Sequence, residues 1–267
     1  MPRPIQAFIH PAALQHNLAR LRQAAPDARI WAVVKANAYG HGIERVMDAA
    51  RGADGLALLD LNEAEKVRAA GWRGPVLLLE GVFEPRDLEL CSRLGLWHTV
   101  HCDEQIDALS KHKTQEPHRV FLKLNSGMNR LGFPVSAVRA AWQRLRATGK
   151  VSEITLMTHF ADADGERGVK EQAAAFDDLV KSMGLPASSA NSAAVLRYPH
   201  TRGEWVRPGI FLYGCSPFPE ESVGALRSRA RSQHLPASSS STNRSPALTL
   251  SQFSTFRESL DFFESAR

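Results

Sequence analysis

The stretch that decides the fold is Trp31-Ala32-Val33-Val34-Lys35-Ala36-Asn37-Ala38-Tyr39-Gly40-His41-Gly42. Trp31 to Val34 is a short apolar run with β-branched residues, the pattern of a strand buried on both faces. It ends on a lysine. Residues 36–42 are small or turn-forming, and an amphipathic helix is expected from about Ile43 to Arg51. A lysine at the carboxyl end of a buried parallel strand lies where α/β folds build their active sites. There it can serve as a base or a Schiff-base amine. A lysine snorkelling out of the strand end is the alternative.

Working outward, strand and helix patterns alternate. Strands are expected at 31–34, 55–60, 75–81, 96–103, 119–127 and 153–161, near 186–190 and near 205–213. Helices are expected at 11–25 before the lysine strand, then at 43–51, 61–71, 84–95, 103–112, 134–149 and 169–184. Regular β-then-α alternation implies parallel pairing, and eight such units close a barrel. An open doubly wound sheet is disfavoured because no G-x-G-x-x-G turn follows a strand. The expected fold is therefore an α/β (β/α)8 TIM-type barrel.

A barrel concentrates its chemistry at the strand carboxyl ends. Collecting those ends brings together Lys35 and Tyr39, then Lys123 to Arg130, then His159. Asn191 and Ser192 follow the seventh strand, and Arg207, Gly209 and Ile210 lie in the eighth unit. Ser192 offers a hydroxyl, and Gly209 and Ile210 offer backbone N–H groups, where such barrels commonly bind phosphate.

Composition excludes several other classes. Hydrophobic residues are 43% and charged residues 23%, ordinary globular values. The net charge of +5 comes from basic residues scattered among acids, so a nucleic-acid surface is not expected. No apolar run is long enough to span a membrane and the amino terminus has no signal-peptide core, which points to a cytoplasmic protein. Cys91, Cys102 and Cys215 form no disulfide pattern. His98, His101 and Cys102 lack a second pair of ligands, so no metal site is expected.

The string VVKANAYGHG closely resembles the cofactor-lysine segment of the alanine racemases. KLNSGMNRLG (123–132), THFADAD (158–164), NSAAVLRYP (191–199) and VRPGIFLYG (206–214) extend the resemblance over about residues 1–220. It implies pyridoxal 5'-phosphate held as an imine by Lys35, alanine as substrate, and interconversion of L- and D-alanine. It also implies roles for single residues. Arg130 meets the cofactor's phenolic oxygen and the substrate, Lys123 matches a lysine carbamylated in many members, and His159 packs beside the ring and links to Arg207. Tyr39, Asn191, Ser192, Gly209 and Ile210 complete the cofactor site. Asn125-Ser126 stand where the family more often has Asp-Thr.

Arg207 adds a chemical argument. An always-charged arginine near the cofactor's ring nitrogen disfavours ring protonation, weakens the electron sink and favours racemisation over transamination. The family's second acid–base group is a tyrosine from the carboxyl-terminal β-domain of the partner subunit in a homodimer. Residues 221–267 hold twelve serines and no tyrosine, with a Ser238–Ser241 run. They are expected to be a low-complexity, disordered tail, left by a frameshift or rearrangement, in place of that β-domain. Racemisation is accordingly expected to be weak or absent. A single-barrel pyridoxal-phosphate carrier and an inactive remnant are the competing readings.

Overall fold

The computed structural model describes residues 8–114, 116–218 and 220–221. The expectation of a tail, except for Glu221, lies outside these residues.

Eight parallel strands build the fold: β1 Arg29–Val33, β2 Gly55–Leu58, β3 Val76–Leu78, β4 Trp97–Val100, β5 His118–Asn125, β6 Val151–Met157, β7 Ala187–Ser188 and β8 Trp205–Val206. Helix α1 (Pro11–Ala24) precedes them. The crossovers are α2 Ile43–Ala50, α3 Leu61–Ala69, α4 Asp87–Leu94, α5 Asp103–Lys111, α6 Val138–Ala147, α7 Lys170–Met183 and α8 Ser192–Arg197. The ladder runs β7-β6-β5-β4-β3-β2-β1-β8, every pair parallel. This is the expected barrel, with seven helices between eight strands.

Its last seam is closed without a ladder. Ser188 Oγ donates to the Trp205 carbonyl at 2.9 Å, and the Arg207 N–H donates to the Ala190 carbonyl at 2.9 Å.

The strands are shorter than the apolar runs suggested, because each run ends in residues committed elsewhere. Asp60 leaves the second strand to cap α3, accepting from the Asn62 and Glu63 N–H groups. The eighth strand was expected to reach Tyr213 but stops at Val206. Pro208 has no N–H to extend a ladder, and residues 210–213 coil into a 3-10 turn.

Alternation along the strands sorts side chains into two cores. Trp31, Trp97, Phe121 and Trp205 fill the lumen, with Trp31 stacked on Trp205 at 4.2 Å between ring centroids. Gly55 makes room, since a Cβ there would overlap the Trp31 ring. Ile30, Ala32, Leu56, Leu122 and Leu124 point outward, against Leu18, Leu21, Val46 and Leu88 of the helices. The same alternation that puts Trp31 and Val33 inside carries Lys35 to the barrel mouth. On β5 it puts Lys123 above Phe121.

Candidate active site

Lys35 enters a short turn of unusual hand. Ala36, Asn37, Ala38 and Tyr39 all have φ between 52° and 57°. Left-handed backbone costs L-residues about 1–2 kcal/mol each, so surrounding contacts must hold it. Gly40 N–H donates to the Ala36 carbonyl at 2.9 Å, and Gly42 N–H to that of Asn37 at 2.9 Å. Asn37 donates its N–H to Glu63 Oε1 at 2.6 Å and accepts from the Ile43 N–H at 3.0 Å. An ordinary turn was expected here. The left-handed coil instead places Tyr39 beside Lys35 in the mouth.

Tyr39 lies against Tyr213, ring centroids 4.8 Å apart, and Tyr213 donates its hydroxyl to the Val33 carbonyl at 3.0 Å. Burial pushes the Tyr39 phenol up to about 12, so it stays protonated. Gly209 passes so close that a Cβ would overlap the Tyr39 hydroxyl. Only glycine fits there.

Arg130 comes from the loop after β5. Asn125 Oδ1 accepts the N–H groups of Gly127 and Asn129, each at 3.0 Å, and Asn129 takes φ 60°. The side-chain oxygen that folds this loop is present in Asn and Asp alike. Ser126 hydrogen-bonds Thr158 at 2.7 Å, linking the loop to the end of β6.

Arg207 is buried and unpaired with any carboxylate among the described residues. Its guanidinium donates to the carbonyls of Ser188 (2.8 Å) and Thr158 (2.6 Å), to Ser188 Oγ (2.6 Å), and at 3.5 Å towards His159 Nδ1. Burial lowers its pKa to about 10, which still leaves it charged at neutral pH. Burial, then Arg207 and Arg130, hold His159 well below the usual histidine range, so its imidazole is neutral.

Lys35 and Lys123 are pushed the same way. Burial and then Arg130 lower Lys35, against smaller opposing effects of Glu80 and Glu63. Lys123 falls to about 8 through burial, Arg207 and Arg130.

These groups share one cavity of about 370 Å³. Its walls include Lys35, Tyr39, Lys123, Arg130, His159, Asn191, Ser192, Arg207, Gly209 and Ile210, the ten residues singled out from the sequence. Two of them have duties inside the protein. Asn191 caps α8, accepting the Ala194 N–H at 3.0 Å. Ser192 Oγ accepts the Gly209 N–H at 2.9 Å and the Phe211 N–H at 3.4 Å. Gly209 was read as a backbone donor to phosphate, but its N–H already meets this hydroxyl.

Sequence reasoning missed Glu80 and Asp164 in the cavity wall, and Thr158 and Ser188 as the supports of Arg207. Glu80 was counted within the third strand, which ends at Leu78. An acid closing the run Val76-Leu77-Leu78-Leu79 was the signal.

Lys35, Lys123, Arg130 and Arg207 line the cavity with no carboxylate within 4 Å among the described residues. Such a mouth accepts an anion, and Lys35 adds an amine that deprotonates easily. Fold and site thus define a (β/α)8 barrel of the kind that works at its strand carboxyl ends, with an amine at the centre of a cationic pocket.

The chain belongs to the alanine racemase family, whose N-terminal-domain model matches residues 9–217. It is 66% identical over 229 residues to an alanine racemase of Paracidovorax citrulli and 68% identical over 225 residues to one of Variovorax paradoxus. Each match covers 84% of this chain and 62% of the relative. The structure of alanine racemase from Acinetobacter baumannii superposes with TM-score 0.77 at 36% identity, covering 81% of this chain and 62% of that one. Biosynthetic alanine racemase from Pseudomonas aeruginosa gives 0.76 at 40%, covering 81% and 61%. The chain therefore spans about 62% of the length of these relatives.

Proposed function

We propose that this chain carries the Lys35 side of an alanine racemase, with pyridoxal 5'-phosphate as cofactor, alanine as substrate and a cytoplasmic setting. The observation that carries the reading is the convergence of Lys35 with three further cations, none paired with a carboxylate, in one cavity of the family's barrel. The donor set fits a phosphorylated aldehyde. Lys35 brings an amine whose protonated form is disfavoured by burial and by Arg130, and the Ile210 N–H opens the 3-10 turn beside Ser192. Lys35, Tyr39, His159, Asn191, Ser192, Arg207, Gly209 and Ile210 would hold the cofactor.

Bound there, that group would supply an electron sink that acidifies the Cα–H of an amino acid. Lys35 takes a proton from Cα or returns it, its ammonium already destabilised by burial and by Arg130. Arg130 fixes a positive charge over the substrate region. Neutral His159 and charged Arg207 form a wall without an acid, which favours return of the same proton over longer-lived carbanion chemistry. Lys123, lowered to about 8, has enough free amine to form an N–C bond to carbon dioxide, releasing one N–H proton to solvent and leaving a carbamate that Arg130 and Arg207 would stabilise.

The test is reconstitution with pyridoxal phosphate, borohydride reduction and peptide mass mapping, alongside chiral chromatography of alanine. A reduced adduct on Lys35 that disappears in Lys35→Ala is the expected result. An adduct on another lysine defeats the reading. Adduct on Lys35 without D-alanine would narrow it to cofactor binding.

A further inference from the structure

Glu80 follows β3 and lines the same cavity as Lys35 and Lys123. Its backbone is held with unusual firmness for a loop. The buried Gln105 donates its amide to the carbonyls of Glu80 (3.1 Å) and Val82 (2.9 Å), and its Oε1 accepts the His101 N–H at 2.8 Å. Gly81 adopts φ 78° where a Cβ would overlap the Thr99 carbonyl, so the chain is seated directly against β4. This scaffold of one amide and one glycine brings Glu80 to a pocket whose other charged wall residues, Asp164 apart, are cationic. No ion pair within 4 Å engages Glu80 among the described residues.

We propose that Glu80 is a positioning residue whose carboxylate is the shared counter-charge of Lys35 and Lys123, setting how much free amine each presents. The surrounding charges make the role specific. Arg130 pushes both lysines towards the neutral amine, and Arg207 and Lys35 add to that push at Lys123. His159 is neutral. Glu63, on α3, opposes the arginines at Lys35 but not at Lys123. Asp164, also in the wall, has no resolved influence on either lysine. Glu80 acts on both, and on His101 behind them. It thereby opposes the loss of a proton from each amine and a second negative charge on Lys123.

The inference rests on the reading above for its consequence only, because its test uses the chain without cofactor. Competitive acetylation of the full chain with acetic anhydride, read by mass spectrometry of the Lys35 and Lys123 peptides, reports the free-amine fraction of each. An opposite charge in such a pocket moves a lysine by about half a unit to one unit, so Glu80→Gln should label Lys123, which lies at about 8, about 2- to 3-fold faster near pH 7.5, and Lys35 faster as well. Glu80→Asp should restore most of the wild-type rate, and Asp164→Asn should leave it unchanged. Exposed Lys170 corrects for reagent dose, and an unchanged Tm of Glu80→Gln excludes a general loosening of the fold. Unchanged labelling in Glu80→Gln, or an increase that Lys170 shares, overturns the proposal. Cofactor failing to bind Lys35 would overturn the functional reading and leave this result standing.

Discussion

Residue by residue, the site is assembled from conformations that single side chains force on the backbone. The clearest case is the left-handed run from Ala36 to Tyr39. Ala36 is exposed and its side chain has no partner, so it contributes strain without compensation. Glycine there removes about 1–2 kcal/mol of left-handed cost and adds about 0.5–1 kcal/mol of unfolded-state entropy. Ala36→Gly is therefore expected to stabilise the chain slightly, by up to about 1.5 kcal/mol, seen as a small rise in Tm. A clear fall in Tm would show that the run is not strained at this position. The lysine could be picked out from its place at a strand end, and the residues after it were legible as a turn. The hand of that turn was not, because it depends on Glu63 reaching Asn37 from a helix 26 residues away.

At the level of elements, a buried polar chain lies on the outer side of the barrel between β4, β5 and α4. His98 Nε2 faces His118 Nδ1 at 3.3 Å, and Ser92 Oγ lies 3.5 Å from His118 and 3.3 Å from His112. Burial, then His118, lowers His98 to about 3, and burial with His112 lowers His118 to about 4. Both are therefore neutral in the folded protein at pH values where the unfolded chain, titrating near 6.5, already binds protons. Stability is complete above about pH 6.5 and falls as pH drops towards 4, by about 1.4 kcal/mol per pH unit for each histidine. Thermal melts across that window should show the decline, and His118→Gln should reduce its slope by about half, leaving the His98 share. A Tm independent of pH between 6.5 and 4.5 would contradict this. In the sequence, His98 stands within the expected strand 96–103, with no ligand set beyond His101 and Cys102. Its partner 20 residues on becomes visible only when β4 and β5 are laid side by side.

For the whole molecule, the unequal seams of the barrel set where it opens. β5 and β6 share six residue pairs, whereas β7 and β8 meet through Ser188, Ala190 and Arg207 rather than a ladder. Local opening follows the sparsest hydrogen bonding. Amide hydrogen exchange at residues 187–190 and 205–207 is expected to precede that of β4 to β6, and Ser188→Ala should widen the gap by removing the hydroxyl that links Trp205 and Arg207. Equal protection around the barrel would show that the Trp31–Trp205 stack closes it as firmly as a ladder does.

By itself the sequence determined the alternation of elements, the parallel barrel and the ten residues that would meet at its mouth. Those properties follow from local periodicity and from the rule that strand ends converge. Only the tertiary structure decided that Glu80 shares the cavity, that Arg207 is held by Thr158 and Ser188, and that the Gly209 N–H is taken up by Ser192. The physical reason is range. Burial and hydrogen bonding join residues up to 180 positions apart around this site, and no pattern along the chain records which donor will find which acceptor.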